Sequence, residues 1–227
     1  MEPLFIAFGL LGATAAIGAL GYQYFFSKTA RTKRAIKRQE QVPIGEASEG
    51  VPIRIVGSLS YAGQPLDAPL TGRPCAAWHV LVEEYKGSGG ARRGNWATVV
   101  EDWDSRPFIV EDGTGKAFVK AEAADLALVQ DAHFRSGTFD DAHERLEAFL
   151  NDHGEASTGA VFNRTLRYRE GVLAAGETVA VMGIGRLEMD PDGDQAGAGY
   201  RTAPQRLVVD GLEDGRLLVS DDPKTTR

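Results

Sequence analysis

The sequence predicts a mainly β domain of the α+β class, an antiparallel β-barrel or sandwich with one main inserted helix, preceded by an N-terminal transmembrane helix. Three observations predict it. Residues 4–26 carry no charge. From residue 51 onward, short stretches that alternate apolar and polar residues recur between Gly- and Pro-rich turns, with no βαβ alternation. Only one later segment has its apolar residues at convincing helical spacing. The 227 residues are 43% hydrophobic and 25% charged, a globular balance that excludes whole-chain disorder and low-complexity classes. One cysteine excludes an intramolecular disulfide, a four-cysteine zinc site and an iron–sulfur cluster within the chain.

The apolar run comes first. A helix of its 23 residues spans roughly 34 Å, against a hydrocarbon core of about 30 Å. Tyr22, Tyr24, Phe25 and Phe26 close it where an aromatic belt lies. A basic cluster follows: Lys28, Arg31, Lys33, Arg34, Lys37 and Arg38. A cleaved signal peptide needs positive charge in front, a shorter apolar core and a small-residue cleavage site; this segment has Glu2 in front and ends in Tyr-Phe-Phe. The expectation is an uncleaved single-pass anchor in the cell membrane, with the N-terminus outside and the soluble domain cytoplasmic. The basic cluster fixes that topology and lies against membrane lipid head groups. Gly9, Gly12, Ala13 and Ala16 place small residues four apart, a spacing that suits a homodimer through the transmembrane helix. Residues 1–27 are thus read as the anchor, 28–50 as a basic juxtamembrane segment and linker, 51–222 as the domain and 223–227 as a tail.

Strand patterns cover residues 51–59, 76–85, 96–103, 107–111, 116–120, 161–168, 178–187, 205–209 and 217–220. Pro65 to Pro74 reads as a loop, and residues 87–94 (GSGGARRG) as a flexible hairpin connection. Asp112-Gly113-Thr114-Gly115 and residues 211–215 read as hairpin turns. The helix has Thr138 at its cap with Asp141 three residues on, Ala142, Leu146, Phe149 and Leu150 on one face, and Gly154 past its end. Beyond residue 50 the net charge is −9, which argues against nucleic acid as a partner.

The ordered blocks Pro69-Leu70-Thr71-Gly72-Arg73-Pro74-Cys75, Val82-Glu83-Glu84-Tyr85, Trp96 and Pro107–Gly115 resemble the GIDE domain, also called the BAM ("beside a membrane") domain. So do Arg167-Tyr168-Arg169-Glu170-Gly171-Val172-Leu173, Gly176-Glu177 and Val181-Met182-Gly183. The similarity covers roughly residues 50–222. Mitochondrial members place this domain between two transmembrane helices and add a RING finger that recruits ubiquitin-charged enzyme. This chain has neither a second apolar span nor the eight or so Cys and His ligands a RING needs. The resemblance therefore implies a non-catalytic protein-interaction or membrane-proximal recognition module with a protein partner. The alternatives are a component of a ubiquitin-ligase-like system whose catalysis sits on another chain, and a ligand-sensing barrel.

No catalytic residue, metal site or cofactor site is expected. Residues 190–194 (DPDGD) lack the glycine and glutamate that a calcium loop requires, and Asp112–Lys116 lacks the Walker spacing. His133, His143 and His153 are ten apart, off metal-ligand spacing, and Cys75 has no base near it in sequence. Trp78, Glu83, Glu84, Tyr85, Trp96 and Trp103 on the strands form the candidate interaction surface, with exposed tryptophans as interface anchors.

Overall fold

The computed structural model describes residues 28–87, 94–136, 144–157, 164–190 and 205–227. The expected anchor at residues 4–26, the connection at 88–93, the helix cap at 138–141 and most of the 190–194 loop lie outside them. Among the described residues, no helix is long and apolar enough to cross a membrane.

Residues 28–38 are helical, α1, where the sequence predicts only a basic juxtamembrane segment. Thr32 and Ile36, one turn apart, are its buried residues. Ile36 packs with Val56, Ala180 and Leu218 on the outside of a barrel. Lys33 pairs with Asp222 at 2.7 Å and Lys28 with Asp125 at 2.8 Å. Arg31, Arg34, Lys37 and Arg38 are exposed. Six cations hid this amphipathic pattern, because two of them flank the buried stripe and are neutralised by distant acids.

Among the described residues thirteen strands follow: β1 (Pro52–Tyr61), β2 (Leu66–Asp67), β3 (Pro74–Cys75), β4 (Ala77–Lys86), β5 (Asn95–Ser105), β6 (Phe108–Glu111), β7 (Lys116–Val119), β8 (Ala124–Leu126), β9 (Ala132–Ser136), β10 (Leu166–Leu173), β11 (Thr178–Met189), β12 (Gln205–Asp210) and β13 (Leu217–Ser220). The helix α2 (Glu144–Asp152) lies between β9 and β10. The first sheet runs β1-β6-β7-β12-β11-β13-β8, and β1 also pairs with β11, which closes β1, β6, β7, β12 and β11 into a five-stranded barrel. Ile53, Ile55, Leu59, Phe108, Val110, Val119, Val179, Val181 and Val209 pack together in its core. A fully closed sheet leaves those strands no free edge.

The sheet departs from the all-antiparallel expectation at two places. β12 runs parallel to β7, and β13 parallel to β8. Nor do β12 and β13 form the hairpin that residues 211–215 suggest: both pair with β11, β12 at Ile184–Met189 and β13 at Ala180–Met182. The turn carries the chain past the end of one neighbour to the next stretch of the same strand edge. The Asp112–Gly115 turn does join a hairpin, β6–β7. Asp112 accepts hydrogen bonds from the Thr114 and Gly115 N–H groups and from Ile44 N–H, and Gly113 adopts φ 83°, the left-handed conformation glycine favours. Its backbone donors are turned on its own aspartate, not on a phosphate.

The second sheet is antiparallel, in the order β5-β4-β10-β9. Leu146, Phe149 and Leu150 of α2 pack on one face of it against Val80, Val82, Val100, Leu166 and Tyr168. At the end of β10 the backbone of Val129 crosses the other face, where a Cβ on Gly171 would stand 2.5 Å from the Val129 carbonyl oxygen. The tail is not free: Thr225 is buried and its carbonyl accepts from the Arg54 guanidinium at 2.7 Å.

Asp221 holds the Val129 crossing by accepting its N–H at 2.7 Å. Burial pushes this carboxyl up to about 7. The fold therefore keeps a proton that the unfolded chain, with an ordinary aspartate near 4, releases. Stability from this group is highest below pH 4, falls as pH rises and is lost by about pH 7. The Asp221→Asn variant should gain melting temperature over the wild type at pH 8 and little at pH 4, by thermal circular dichroism.

Candidate functional site

β4 alternates strictly. Trp78, Val80, Val82 and Glu84 face α2; His79, Leu81, Glu83 and Tyr85 face the other way. Register brings more residues to that second face. Trp103, Glu101, Thr98 and Trp96 on β5 stand opposite His79, Leu81, Glu83 and Tyr85. Arg167 and Arg169 on β10 stand opposite Glu83 and Leu81, and Arg135 and His133 on β9 stand opposite those arginines.

Glu83 is the centre of this face and is fully buried. Arg167 grips it with two bonds, Nε to Oε2 at 2.6 Å and Nη2 to Oε1 at 2.7 Å, the fork geometry that guanidinium and carboxylate share. Arg169 also donates to Glu83 Oε2. Arg167 then stacks on Trp96, its Cζ 4.2 Å from the ring centroid, and Tyr85 meets Trp96 edge-on with centroids 5.4 Å apart. The result is an ordered layer: a buried carboxylate, two arginines above it, and two aromatic rings beside them. Tyr85 and Trp103 are 40% and 47% exposed, while Trp96 is half-buried.

The six residues expected on one interaction surface thus divide. Tyr85, Trp96 and Trp103 share the face; Glu83 shares it but is covered. Trp78 lies on the opposite face, edge-on to Phe149 of α2 at 6.5 Å, and is a packing residue. Glu84 is also on that side, bound by Arg164 and Lys86, both at 2.7 Å. Burial raises the Glu84 carboxyl, but those two cations lower it more, and it sits below the usual range. Sequence reasoning missed Arg135, Arg167 and Arg169. The alternation Arg-Tyr-Arg-Glu at 167–170 was the available signal, since a strand there puts both arginines on one face. The expected strand stopped at residue 168, too early to use it.

The other chemistry-bearing side chains do not converge. His133 is on β9, while His153 bonds the Phe149 carbonyl and Asp102 at the end of α2. Among the described residues, no group of three His, Cys, Asp or Glu is placed to hold a metal. Cys75 is buried, and burial pushes its thiol up to about 12, which leaves it protonated and a poor nucleophile.

A family model for GIDE, described as an E3 ubiquitin ligase, matches residues 79–194, half of the chain. The chain belongs to the GIDE family. The matched span of this GIDE domain contains β5, β9, β10 and α2 whole and nearly all of β4, so it contains the face just described. No curated protein and no solved structure gave a match. Two of the family-like sequence blocks touch each other in the GIDE fold. Glu170, fully buried, accepts from the N–H groups of Leu70 and Thr71 at 2.8 and 3.2 Å and from the Thr71 hydroxyl. Arg73 from the same loop forks onto Asp131 at 2.7 and 2.8 Å.

Breaking a buried pair strands the remaining charges. Glu83→Ala should cost about 3 kcal/mol of stability, read as an earlier urea midpoint. Arg169→Ala should cost less, because Arg167 still covers the carboxylate.

Proposed function

We propose that this chain is a membrane-anchored recognition module that binds a protein partner on the Tyr85–Trp96–Arg167 end of its second sheet and performs no chemistry itself. The observation that carries this reading is the layer of Arg167 on Trp96 beside Tyr85, fixed from below by Glu83. Aromatic residues and arginine dominate binding hot spots because they bury large area with few rotamers and still satisfy polar groups. Here the fold has already immobilised them, so little side-chain entropy is lost on docking. Arg135 and His133, both exposed, extend the face. In a domain whose net charge is −9 beyond residue 50, this local excess of arginine suits a partner with acidic groups around an apolar centre.

The anchor reading rests on the uncharged 4–26 run and the cations after it, and it puts the domain on the cytoplasmic side. Crosslinking pull-down from native membranes tests the module. Full-length wild type should retain a partner that residues 1–50 alone do not, and Trp96→Ala or Arg135→Glu should lose it. Identical capture by wild type and both variants sinks this reading of the face.

The family description favours a second reading, in which the chain is the partner-binding component of a ubiquitin-ligase-like assembly and another chain supplies catalysis. This chain has one Cys and four His, against about eight ligands for the two zinc ions of a RING. Purified chain should contain no stoichiometric zinc and transfer no ubiquitin with charged conjugating enzyme. Transfer by the chain alone contradicts the non-catalytic reading; transfer that appears only with an added partner supports the second one.

A further inference from the structure

We propose that the pocket between the first turn of α1 and the β12–β13 turn binds a phosphate group, carried by an anionic phospholipid headgroup or by a free phosphate ester. The pocket, about 220 Å³, is lined by Lys28, Arg31, Thr32, Asp125 and Arg216. Three of the five are cations, and they reach it from opposite ends of the chain. Asp125 is the one acid: it pairs with Lys28 at 2.8 Å and stands 4.0 Å from Arg216. Asp214 holds Arg216 from behind, at 2.7 Å to Nε and 2.6 Å to Nη2. Two cations are therefore oriented by carboxylates, and Arg31 forms no ion pair with any described residue. Counted with Asp125 and Asp214, the three cations leave one net positive charge, that of Arg31, at the pocket. The fork of Arg31 matches phosphate oxygens in pairs, and Arg216 Nη1 and Lys28 add positive charge beside it.

The depth of the pocket favours the lipid source, and this step rests on the anchored reading. Lys28 and Arg31 follow Phe26 by two and five residues. At helical rise they stand about 3 and 8 Å beyond the apolar run, and each headgroup layer is about 5–8 Å deep. A second observation agrees. Trp103, 47% exposed, has its ring centroid 5.3 Å from Lys28 Nζ. An exposed tryptophan at that level is the side chain a membrane interface favours.

The test uses the full chain in neutral detergent. It is titrated with short-chain phosphatidic acid, short-chain phosphatidylcholine and inorganic phosphate, with tryptophan fluorescence and melting temperature as readouts. Phosphatidic acid should bind at least tenfold more tightly than phosphatidylcholine. Arg31→Gln with Arg216→Gln should weaken it about tenfold, and Lys37→Gln, outside the pocket, should not change it. A response to phosphatidic acid alone assigns the site to headgroups; an equal, variant-sensitive response to inorganic phosphate assigns it to free phosphate, and both support the site. Equal binding by wild type and double variant, or no response to either phosphate source, overturns it. Where Arg216→Gln itself lowers the melting temperature, exposed Arg31→Gln alone is the deciding variant. Resistance to alkaline carbonate extraction is measured in parallel, so a failed anchor and a failed pocket give different results.

Discussion

Glu170 is the constraint on which the second sheet and its loops depend. A carboxylate with no solvent exposure is stable only if its oxygens are satisfied. Here the donors come from Leu70 and Thr71, a hundred residues earlier in the chain. That bond draws the 69–73 loop onto β10 and seats Leu70 in the core beneath α2. Arg73, carried by the same loop, then reaches Asp131 just before β9. With the inward side of β10 fixed, the strand's alternation sends Arg167 and Arg169 outward onto Glu83. One buried carboxylate per face thus sets the pose of β10, and β10 sets the layer of Arg167 on Trp96.

The two proposals place their sites at opposite ends of one sheet face. Trp103 stands opposite His79, and Trp96 opposite Tyr85. Six residues along β4 separate them, about 20 Å at strand rise. The Trp103 end adjoins Lys28 and the start of α1, so on the anchored reading it faces the bilayer. On the same reading the Trp96 end, proposed for a partner, points away from it. α1 itself is fixed to the domain: Ile36 packs on the outside of the barrel and Lys33 pairs with Asp222. On the anchored reading, a loose tether would let the domain sample all orientations, whereas a helix packed on the barrel presents the same end outward.

Much of the fold was legible. Strand alternation located β1, β4–β7 and β11–β13 within a few residues, and the spacing of Leu146, Phe149 and Leu150 located α2 with its buried face. Short strands escaped. β8 and β9 are three and five residues long, too short for a period of two to show. β8 is also buried at every position, so its burial shows no alternation at all. α1 escaped because Lys28 and Lys33 look like solvated charge until Asp125 and Asp222 are brought to them.

The candidate site shows the same division. Residue type marked Trp78, Glu83, Glu84, Tyr85, Trp96 and Trp103 as a candidate surface, but type cannot say which face of a strand a residue takes, and Trp78 went to the core face for that reason. By itself the sequence determined the apolar run and its basic flank, the β-rich class, the GIDE likeness and the want of zinc ligands, since each depends on local order or on counts. Only the tertiary structure decided the barrel closure, the pairing of Glu83 with Arg167 and Arg169, and the meeting of Lys28, Arg31 and Arg216. Those are contacts between residues distant in the chain, and register, which a one-residue slip reverses, selects them.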